Sequence, residues 1–323
     1  MTDSTLSMLE SWASSAQDDA PLDVMAEMQE LATLIVGQVL FGTDLSPTYS
    51  EEVRQNTLVS MEYLNHRMRR PLSLPVWMPT HMNLCLRKAM RRADDNVFNI
   101  INQRRQTGKD TGDLLSMLLA ARDEETGAGL TNQEPSDEVG TFLGAGNETT
   151  AVTPTRAWYM LSKHLDVERR LHAELDAVLG GRTPTVEDVA NRTYTRMIID
   201  ETLRLYPAAW AIGRGIVDDD EIGDYRIKKG TIIVLSPYVT HRRPDIWDNP
   251  EGFDPERFTP ERVAERPRYT YLPCGGGPCQ CIGDTFALME AQLVLATVAQ
   301  KYRLSIVLAC TVEPDPIFTL RPR

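Results

Sequence analysis

The spacing of apolar residues predicts a chain that is helical over most of its length. Between residues 23 and 41, Val24, Met28, Leu31 and Ile35 recur near a period of 3.6 residues, as in a half-buried helix. Comparable patterns predict further helices at about 50–70, 84–106, 112–122, 131–164, 167–179, 194–206 and 284–302. Polar and proline-containing turns separate them.

A shorter stretch in the second half has a different pattern. Between residues 210 and 242, β-branched and apolar residues flank a Lys-Lys-Gly turn, and 231–235 is typical of a returning strand. The aromatic-rich segment 242–273 is predicted to be an irregular but ordered loop. The fold class is therefore mainly α with a minor β region. Since no repeat or linker interrupts the pattern, we expect a single domain over residues 1–323.

Composition indicates an acidic globular protein. Apolar residues make up 42% of the chain, and 46 acidic against 34 basic residues give a formal charge of -12, which argues against a nucleic-acid partner. No apolar run reaches the roughly 18 residues that are needed to span a bilayer. Residues 1–20 are polar and lack the charged start and apolar core of a signal peptide. We therefore expect no membrane span. Five cysteines are too few for a disulfide scaffold and favour a reducing, cytoplasmic location.

Several common catalytic motifs are absent from the sequence. The glycines at 144 and 146 lack the third glycine and the preceding strand of a dinucleotide loop, and the glycines at 275–277 lack the Lys-Ser/Thr of a phosphate loop. Neither a Gly-x-Ser-x-Gly elbow nor a His-Glu-x-x-His zinc helix occurs. The five scattered histidines are interpreted as surface or packing residues.

Three cysteines cluster in a glycine-rich segment just before the last predicted helix. Cys281 precedes the helix N-terminus, where unpaired amides and the positive end of the helix dipole favour thiolate, the form that binds metal. The neighbouring glycines remove side-chain bulk and permit positive φ, which allows a flat cofactor to approach closely. A glycine-rich turn with a buried free cysteine is the structural alternative.

This segment resembles the haem-binding loop of the cytochrome P-450 haem-thiolate monooxygenases, whose pattern is Phe-x-x-Gly-x-Arg-x-Cys-x-Gly. Gly277, Cys281 and Gly283 match that pattern. Three further stretches resemble family motifs and occur in the family's order: residues 145–150 resemble the oxygen-activating stretch of the central helix, residues 201–204 the Glu-x-x-Arg pair, and residues 253–258 the Pro-Glu-Arg-Phe motif. The resemblance therefore implies a cytochrome P-450-like fold.

The resemblance also implies a cofactor site. Cys281 would be the axial thiolate ligand of the iron of haem b, donating electron density to it. Arg214 would contact a haem propionate, and Trp210 and Ile212 would shape an apolar cavity. The other cofactor-binding residues implied are Gly275, Gly277, Gly283 and Ala145.

Two catalytic residues and a structural network follow from the same resemblance. Thr149 would hydrogen-bond the oxygen being activated, and Glu148 would help relay protons through water. Without the resemblance, the two would be read as a polar break in a helix. Glu201, Arg204 and Arg257 would form a buried network with a structural role, whereas the residues alone also allow a surface pair at i, i+3 spacing.

The implied reaction inserts one atom of O2 into a small apolar organic substrate and reduces the other to water. Electrons would derive indirectly from NAD(P)H, through a ferredoxin- or flavodoxin-type donor and its reductase, because the chain has no flavin or nicotinamide motif of its own. The first predicted helix resembles one from well inside the family's fold. We therefore expect the family's N-terminal part to be missing.

The chain departs from the family pattern at two positions and leaves two alternatives open. Cys274 stands where the family has an aromatic residue, and Cys279 where it has an arginine or histidine that binds a propionate. Loss of that charged contact corresponds to about 1.5–3 kcal/mol of cofactor binding. Cys274, Cys279 and Cys281 could instead hold zinc or an iron-sulfur cluster. The second alternative is a haem-free, catalytically silent fold acting as a binding or structural module.

Overall fold

The computed structural model describes residues 1–17, 20–42, 47–70, 74–108, 110–131, 133–191, 193–307 and 311–322. Within these residues the chain forms eleven α-helices: α1 (Thr2–Gln17), α2 (Val24–Phe41), α3 (Pro47–Arg69), α4 (His81–Thr107), α5 (Leu114–Ala120), α6 (Gln133–Lys163), α7 (Leu165–Leu179), α8 (Thr193–Leu205), α9 (Pro237–Thr240), α10 (Pro260–Glu265) and α11 (Asp284–Ala299). Six short strands in the same residues form three two-stranded antiparallel sheets: β1 (Ile212–Gly215) with β4 (Ile232–Leu235), β2 (Asp220–Ile222) with β3 (Tyr225–Ile227), and β5 (Pro314–Pro316) with β6 (Leu320–Pro322). The predicted fold class, mainly α with a minor β region, is confirmed.

The chain divides into two compact units, one built on residues 3–151 and the other on residues 152–323. The boundary falls inside α6. A single domain over the whole chain stays a prediction.

Packing of amphipathic helices forms the core of the first unit. Helices α2, α4, α5 and α6 contribute fully buried side chains to one cluster: Leu40, Ile101, Leu115 and Val139. Helix α2 ends at Gly42, whose φ of 64° lets its N–H donate to the Gln38 carbonyl. This left-handed position explains why the helix stops there.

Helix α2 is also, within the described residues, the one helix long and apolar enough to cross a membrane. Half of it is buried inside its unit, and Met28, Leu31, Ile35 and Leu40 are each at most 2% exposed. Burial of this kind is typical of the core helix of a globular unit.

The apolar pattern does not predict helix α1. The first residues are mainly polar, and the helix is attached to its unit by a few side chains, among them Leu9 and Trp12, which are 2% and 3% exposed. The Trp12 indole N–H donates to Glu27 Oε2 at 2.7 Å. Because these contacts join segments separated in sequence, local periodicity does not reveal them.

Two helices of the second unit place its candidate site residues. Helix α8, which carries Glu201 and Arg204, contacts α11, which starts directly after Gly283. In the sheet of β1 and β4, Arg214 pairs with Ile233. The cysteine segment is thereby followed by a helix of the unit's core, while Arg214 extends from a short strand.

Arg156 is a fully buried cation in the second unit. Its Nη2 donates to the carbonyl oxygens of Arg321 at 2.6 Å and Glu313 at 3.4 Å, and its guanidinium lies 4.5 Å from the centre of the Tyr206 ring. Its Nε and Nη1 have no hydrogen-bond partner among the described residues. Burial lowers the pKa of Arg156 to about 10. The buried Arg156 side chain is therefore held by backbone carbonyls.

Candidate active site

The cysteine loop, residues 271–283, is a turn held by its own backbone. The Cys281 N–H donates to the Cys274 carbonyl at 3.0 Å. Gly275 and Gly277 have φ of 75° and 71°, a region that side-chain-bearing residues rarely occupy. A Cβ at Gly276 would lie 2.8 Å from the Tyr269 ring. The glycines are thus required by this backbone path.

Within the loop, the three cysteines have different environments. Cys281 and Cys279 are exposed, whereas Cys274 is half-buried. Burial raises the pKa of the Cys274 thiol to about 12, so it stays protonated at neutral pH. A Cβ at Gly283 would lie 3.9 Å from Cys281 Sγ, in ordinary van der Waals contact with the thiol. Cys281 is therefore an accessible thiol three residues before Asp284, the first residue of α11.

A cavity of about 350 Å³ lies beside the cysteine loop. Its apolar lining comes from Ile212, Leu235, Pro237 and Leu272, and the glycines of the loop complete the wall. Arg214 also lines it. The Arg214 guanidinium donates to the Gly213 carbonyl at 2.9 Å and forms no ion pair with any described residue. The cavity therefore combines apolar walls with one available cation.

These residues fit a haem. A thiol, glycines beside it, apolar walls and a cation match the thiolate ligand, flat ring and acidic propionates of that group. Strongly exposed apolar side chains occur in the same unit, with Ile282 86% and Ile232 73% exposed. By contrast, no three His, Cys, Asp or Glu side chains of the described residues lie close enough together to hold a metal ion. The cysteine cluster therefore does not form the ligand set that the zinc or iron-sulfur alternative requires.

The predicted catalytic residues lie on α6 in the first unit. Thr149 is partly exposed, and its Oγ1 donates to the Ala145 carbonyl at 2.5 Å. Ala145 is exposed, whereas Glu148 is only 1% exposed. The hydroxyl and the carboxylate thus have different environments, because successive helical residues point about 100° apart.

The arginine network, defined as Glu201, Arg204 and Arg257, is buried in the second unit. Arg204 donates from Nε and Nη2 to the two carboxylate oxygens of Glu201, at 2.7 and 2.8 Å, with both side chains fully buried. Arg257 Nε lies 3.4 Å from Glu201 Oε1. The Asp254 N–H also donates to that oxygen, at 2.8 Å. The three residues predicted to act together are thereby brought together.

Backbone carbonyls satisfy the remaining donors of Arg204. Nη1 donates to the His241 and Pro250 carbonyls at 2.8 and 2.7 Å, and Nη2 donates to the Gly252 carbonyl at 2.8 Å. The guanidinium also lies 5.1 Å from the centre of the Trp247 ring. One side chain of α8 therefore fixes the path of an irregular segment about forty residues further along the chain.

Sequence reasoning missed His241, which it interprets only as a surface or packing residue. Its ring is fully buried. The Leu272 N–H donates to His241 Nε2 at 2.9 Å, and Nδ1 lies 3.2 Å from the Arg204 carbonyl. Burial, together with the charges of Arg204 and Arg242, lowers the pKa of His241 to about 3. No local motif marks this residue, because its partners come from two distant segments.

Trp210 is placed by the chain's last hairpin. Its indole N–H donates to the Ile317 carbonyl at 2.8 Å, and the Leu320 N–H donates to the Ala208 carbonyl at 3.1 Å. The segment following α8 is thus attached to the turn between β5 and β6. With its only polar atom satisfied, the Trp210 ring can offer an apolar surface.

Comparisons with known proteins agree on one family. A family model of cytochrome P450 matches residues 1–321. The chain is 38% identical over 93% of its length to cyclooctatin synthase of Streptomyces melanosporofaciens, covering 66% of that protein. It is 36% identical over 92% of its length to pentalenene oxygenase of Streptomyces avermitilis, covering 65% of that protein. The chain thus spans about two thirds of the length of these curated relatives.

Solved structures give the same result. The haem domain of cytochrome P450DA superposes with a TM-score of 0.88 at 27% identity, covering the whole chain and 70% of that domain. The structure of the cytochrome P450 CYP102L1 superposes with a TM-score of 0.86 at 26% identity, covering 99% of this chain and 71% of that one.

Proposed function

This chain belongs to the cytochrome P450 family, and we propose that it acts as a haem-thiolate monooxygenase. When bound, haem supplies the redox-active iron with which one atom of O2 is inserted into an organic substrate and the other is reduced to water. The observation that carries the proposal is the accessible Cys281 thiol, placed between glycines that bring the backbone close and just before α11.

The second unit supplies the residues that would hold the cofactor. Cys281 would bind the iron as thiolate, and the protonated Cys274 would not compete with it. Gly275, Gly277 and Gly283 would keep the loop close to the ring, and Arg214 would bind a propionate. Ala145 stays a cofactor-binding residue by family resemblance alone.

The first unit supplies the residues that would handle protons. The Thr149 hydroxyl donates a hydrogen bond to the Ala145 carbonyl, and a hydroxyl that donates in this way can still accept a hydrogen bond. Thr149 would therefore orient a proton donor near the reacting oxygen. Because the Glu148 side chain is buried, it would exchange protons with Thr149 only through a water that enters the unit, or after a change of rotamer.

The substrate class follows from the relatives and the apolar cavity. The names of the relatives include pentalenene oxygenase and cyclooctat-9-en-7-ol 5-monooxygenase. An apolar cyclic terpene agrees with the aliphatic lining of the cavity, to which Ile212, Leu235 and Leu272 contribute. Electrons would come from NAD(P)H through a ferredoxin- or flavodoxin-type donor and its reductase, in the cytoplasm.

Carbon monoxide difference spectroscopy tests this function. The chain is expressed with haem supplied, purified and reduced, and its spectrum is recorded with and without carbon monoxide. We expect the red-shifted Soret band of thiolate-ligated haem. Cys281→Ala should abolish that band, whereas Cys279→Ala, two residues away and equally exposed, should keep it.

Two outcomes would contradict the proposal. A folded chain without haem absorbance would favour the haem-free alternative. A thiolate-type band that persists in Cys281→Ala would remove Cys281 as the ligand. Thr149→Ala addresses the proton role separately, since it should keep the band but uncouple oxygen consumption from product formation.

A further inference from the structure

We propose that His241 is a positioning residue, whose neutral imidazole fixes the cysteine loop to the arginine network. No motif marks it and it touches no reacting atom. It nevertheless links the two features of the second unit from which the site would be built. This role rests on the proposed function, since the position of the loop matters for catalysis only if Cys281 is a haem ligand.

The hydrogen bonds of His241 determine its tautomer. The partner of Nε2 is the Leu272 backbone N–H, which can only donate, so Nε2 must be the unprotonated nitrogen. The partner of Nδ1 is the Arg204 carbonyl, which can only accept, so Nδ1 carries the proton. Both bonds exist together only in the neutral ring, since a doubly protonated ring has no acceptor for Leu272.

The contact with Arg204 runs in both directions. The His241 ring bonds to the Arg204 carbonyl, and Arg204 Nη1 donates to the His241 carbonyl at 2.8 Å. The ring also packs against Tyr271, with centroids 5.3 Å apart. His241 is therefore held rigidly by α8 on one side and contacts the start of the cysteine loop on the other.

The hydrogen bond between Leu272 and His241 constrains Cys281 through the backbone of the cysteine loop. Leu272 lies two residues before Cys274, whose carbonyl accepts from the Cys281 N–H at 3.0 Å. The Leu272 carbonyl itself accepts from the Gly275 N–H at 3.1 Å. Since positive-φ glycines follow, the loop has little intrinsic stiffness and depends on such anchors. An anchor at Leu272 thus limits where the Cys281 thiol can lie.

Two substitutions separate the bonds of His241. In His241→Gln, the side-chain carbonyl can take the place of Nε2 and accept from Leu272, while the donor to Arg204 is lost. In His241→Asn, the amide can take the place of Nδ1 and donate to Arg204, while Leu272 is left unpaired. Both variants remove the ring, so a role in packing alone predicts similar effects for the two.

Hydrogen exchange of the haem-free chain gives a readout independent of cofactor and activity. We expect peptides covering residues 272–283 to exchange about tenfold faster in His241→Asn than in the unmodified chain, because the half-buried Leu272 amide loses its acceptor. His241→Gln should exchange close to the unmodified rate. After haem loading, the Asn variant should also have a smaller fraction of the thiolate-type carbon monoxide complex.

His164→Gln is the matched control. His164 is a half-buried histidine of the second unit, with Nδ1 2.8 Å from the Met160 carbonyl and its ring 5.0 Å from that of Phe253, and its bonds lie outside the cysteine loop. Its substitution should leave loop exchange unchanged. Equal exchange in the Asn and Gln variants would overturn the positioning role. If neither the unmodified chain nor any variant bound haem, the proposed function would fail, and the exchange data would still decide the role of His241.

Discussion

The arginine network and the cysteine loop belong to the same unit but differ in how fully their polar groups are satisfied. In the network, Glu201 and Arg204 are fully buried and bonded to each other and to the backbone. In the loop, Cys281 and Cys279 are exposed, and Cys274 and Cys279 stand at positions where the family resemblance implies an aromatic residue and a cation. Glu201 and Arg204 thus find their polar partners within the chain, whereas two thiols of the loop face solvent.

This difference separates the determinants of folding from those of chemistry. A buried ion pair makes its contribution in the absence of any ligand, and removing one partner leaves an uncompensated charge. An exposed thiol contributes little to folding. Its reactivity depends on its immediate neighbours, which determine how readily it ionises. We therefore expect substitutions in the network to change mainly stability, and substitutions in the loop to change mainly haem affinity.

The largest expected effect is that of Glu201→Ala on stability. Removing this carboxylate leaves the buried Arg204 without its counter-charge, which should lower the free energy of unfolding by about 3–5 kcal/mol. Urea unfolding of the haem-free chain measures the change.

The chain contains a matched control for this substitution. Glu51 and Arg54 have the same i, i+3 spacing, but their side chains are 47% and 46% exposed. Glu51→Ala should leave the free energy of unfolding nearly unchanged, because exposed pairs of this kind contribute little. Similar losses of stability at the two sites would show that burial does not distinguish the two ion pairs, and would contradict a mainly stabilising role for the arginine network.

The next effect concerns the loop and should appear in haem affinity. Cys279→Arg supplies a cation where the family carries an arginine or histidine that binds a propionate. Haem binding should tighten by about tenfold to a hundredfold, as expected for a charge-assisted hydrogen bond. The rate of haem transfer to excess apomyoglobin measures it. Cys279→Ala removes the thiol without adding charge, and an equal effect of both variants would refute the charge explanation.

Sequence patterns predict most helices of this fold to within a few residues. The predicted helix at 23–41 is found at Val24–Phe41, and the predicted helix at 284–302 is found at Asp284–Ala299. Their apolar periodicity reports burial of one face, a property of local sequence. Helix α1 lacks that signal because its packing depends on single residues such as Trp12.

For the candidate site, the spacing of residues along the sequence predicts fewer of the contacts. The i, i+3 spacing of Glu201 and Arg204 predicts that they share a helix face, but their pairing with carbonyls at Pro250 and Gly252 depends on an irregular segment without periodicity. His241 is missed for the same reason. The roles assigned to Cys281 and Thr149 come from family resemblance and remain predictions.

The pH dependence of stability probes the connection between the two regions. His241 has a pKa of about 3 in the folded chain, against 6.5 ordinarily, owing to burial and the charges of Arg204 and Arg242, while the Tyr271 ring packs against it uncharged. The unfolded chain therefore binds the proton first. Stability is retained above about pH 6.5 and falls as the pH decreases towards 3, by about 2 kcal/mol at about pH 5.

Comparing the unmodified chain with His241→Gln isolates this contribution. Glutamine does not titrate, so urea unfolding at about pH 7 and about pH 5 should give a loss about 2 kcal/mol smaller in the variant. All other acid-sensitive groups are common to both chains and cancel in the comparison. Identical pH dependence would mean that His241 is already accessible to protons in the folded chain.

The smallest expected effect comes from a second buried arginine. Arg156 is as fully buried as Arg204, but its Nη2 donates to two backbone carbonyls, and its Nε and Nη1 have no hydrogen-bond partner among the described residues. Its pKa falls from 12.5 to about 10, which corresponds to about 3 kcal/mol of destabilisation at neutral pH.

Arg156→Met keeps most of the volume, removes the charge and gives up two hydrogen bonds, so stability should rise by about 1–2 kcal/mol. Urea unfolding checks the sign, with Arg204→Met expected to destabilise the chain. A loss of stability in Arg156→Met would mean that two backbone carbonyls and the Tyr206 ring are enough to compensate this buried cation.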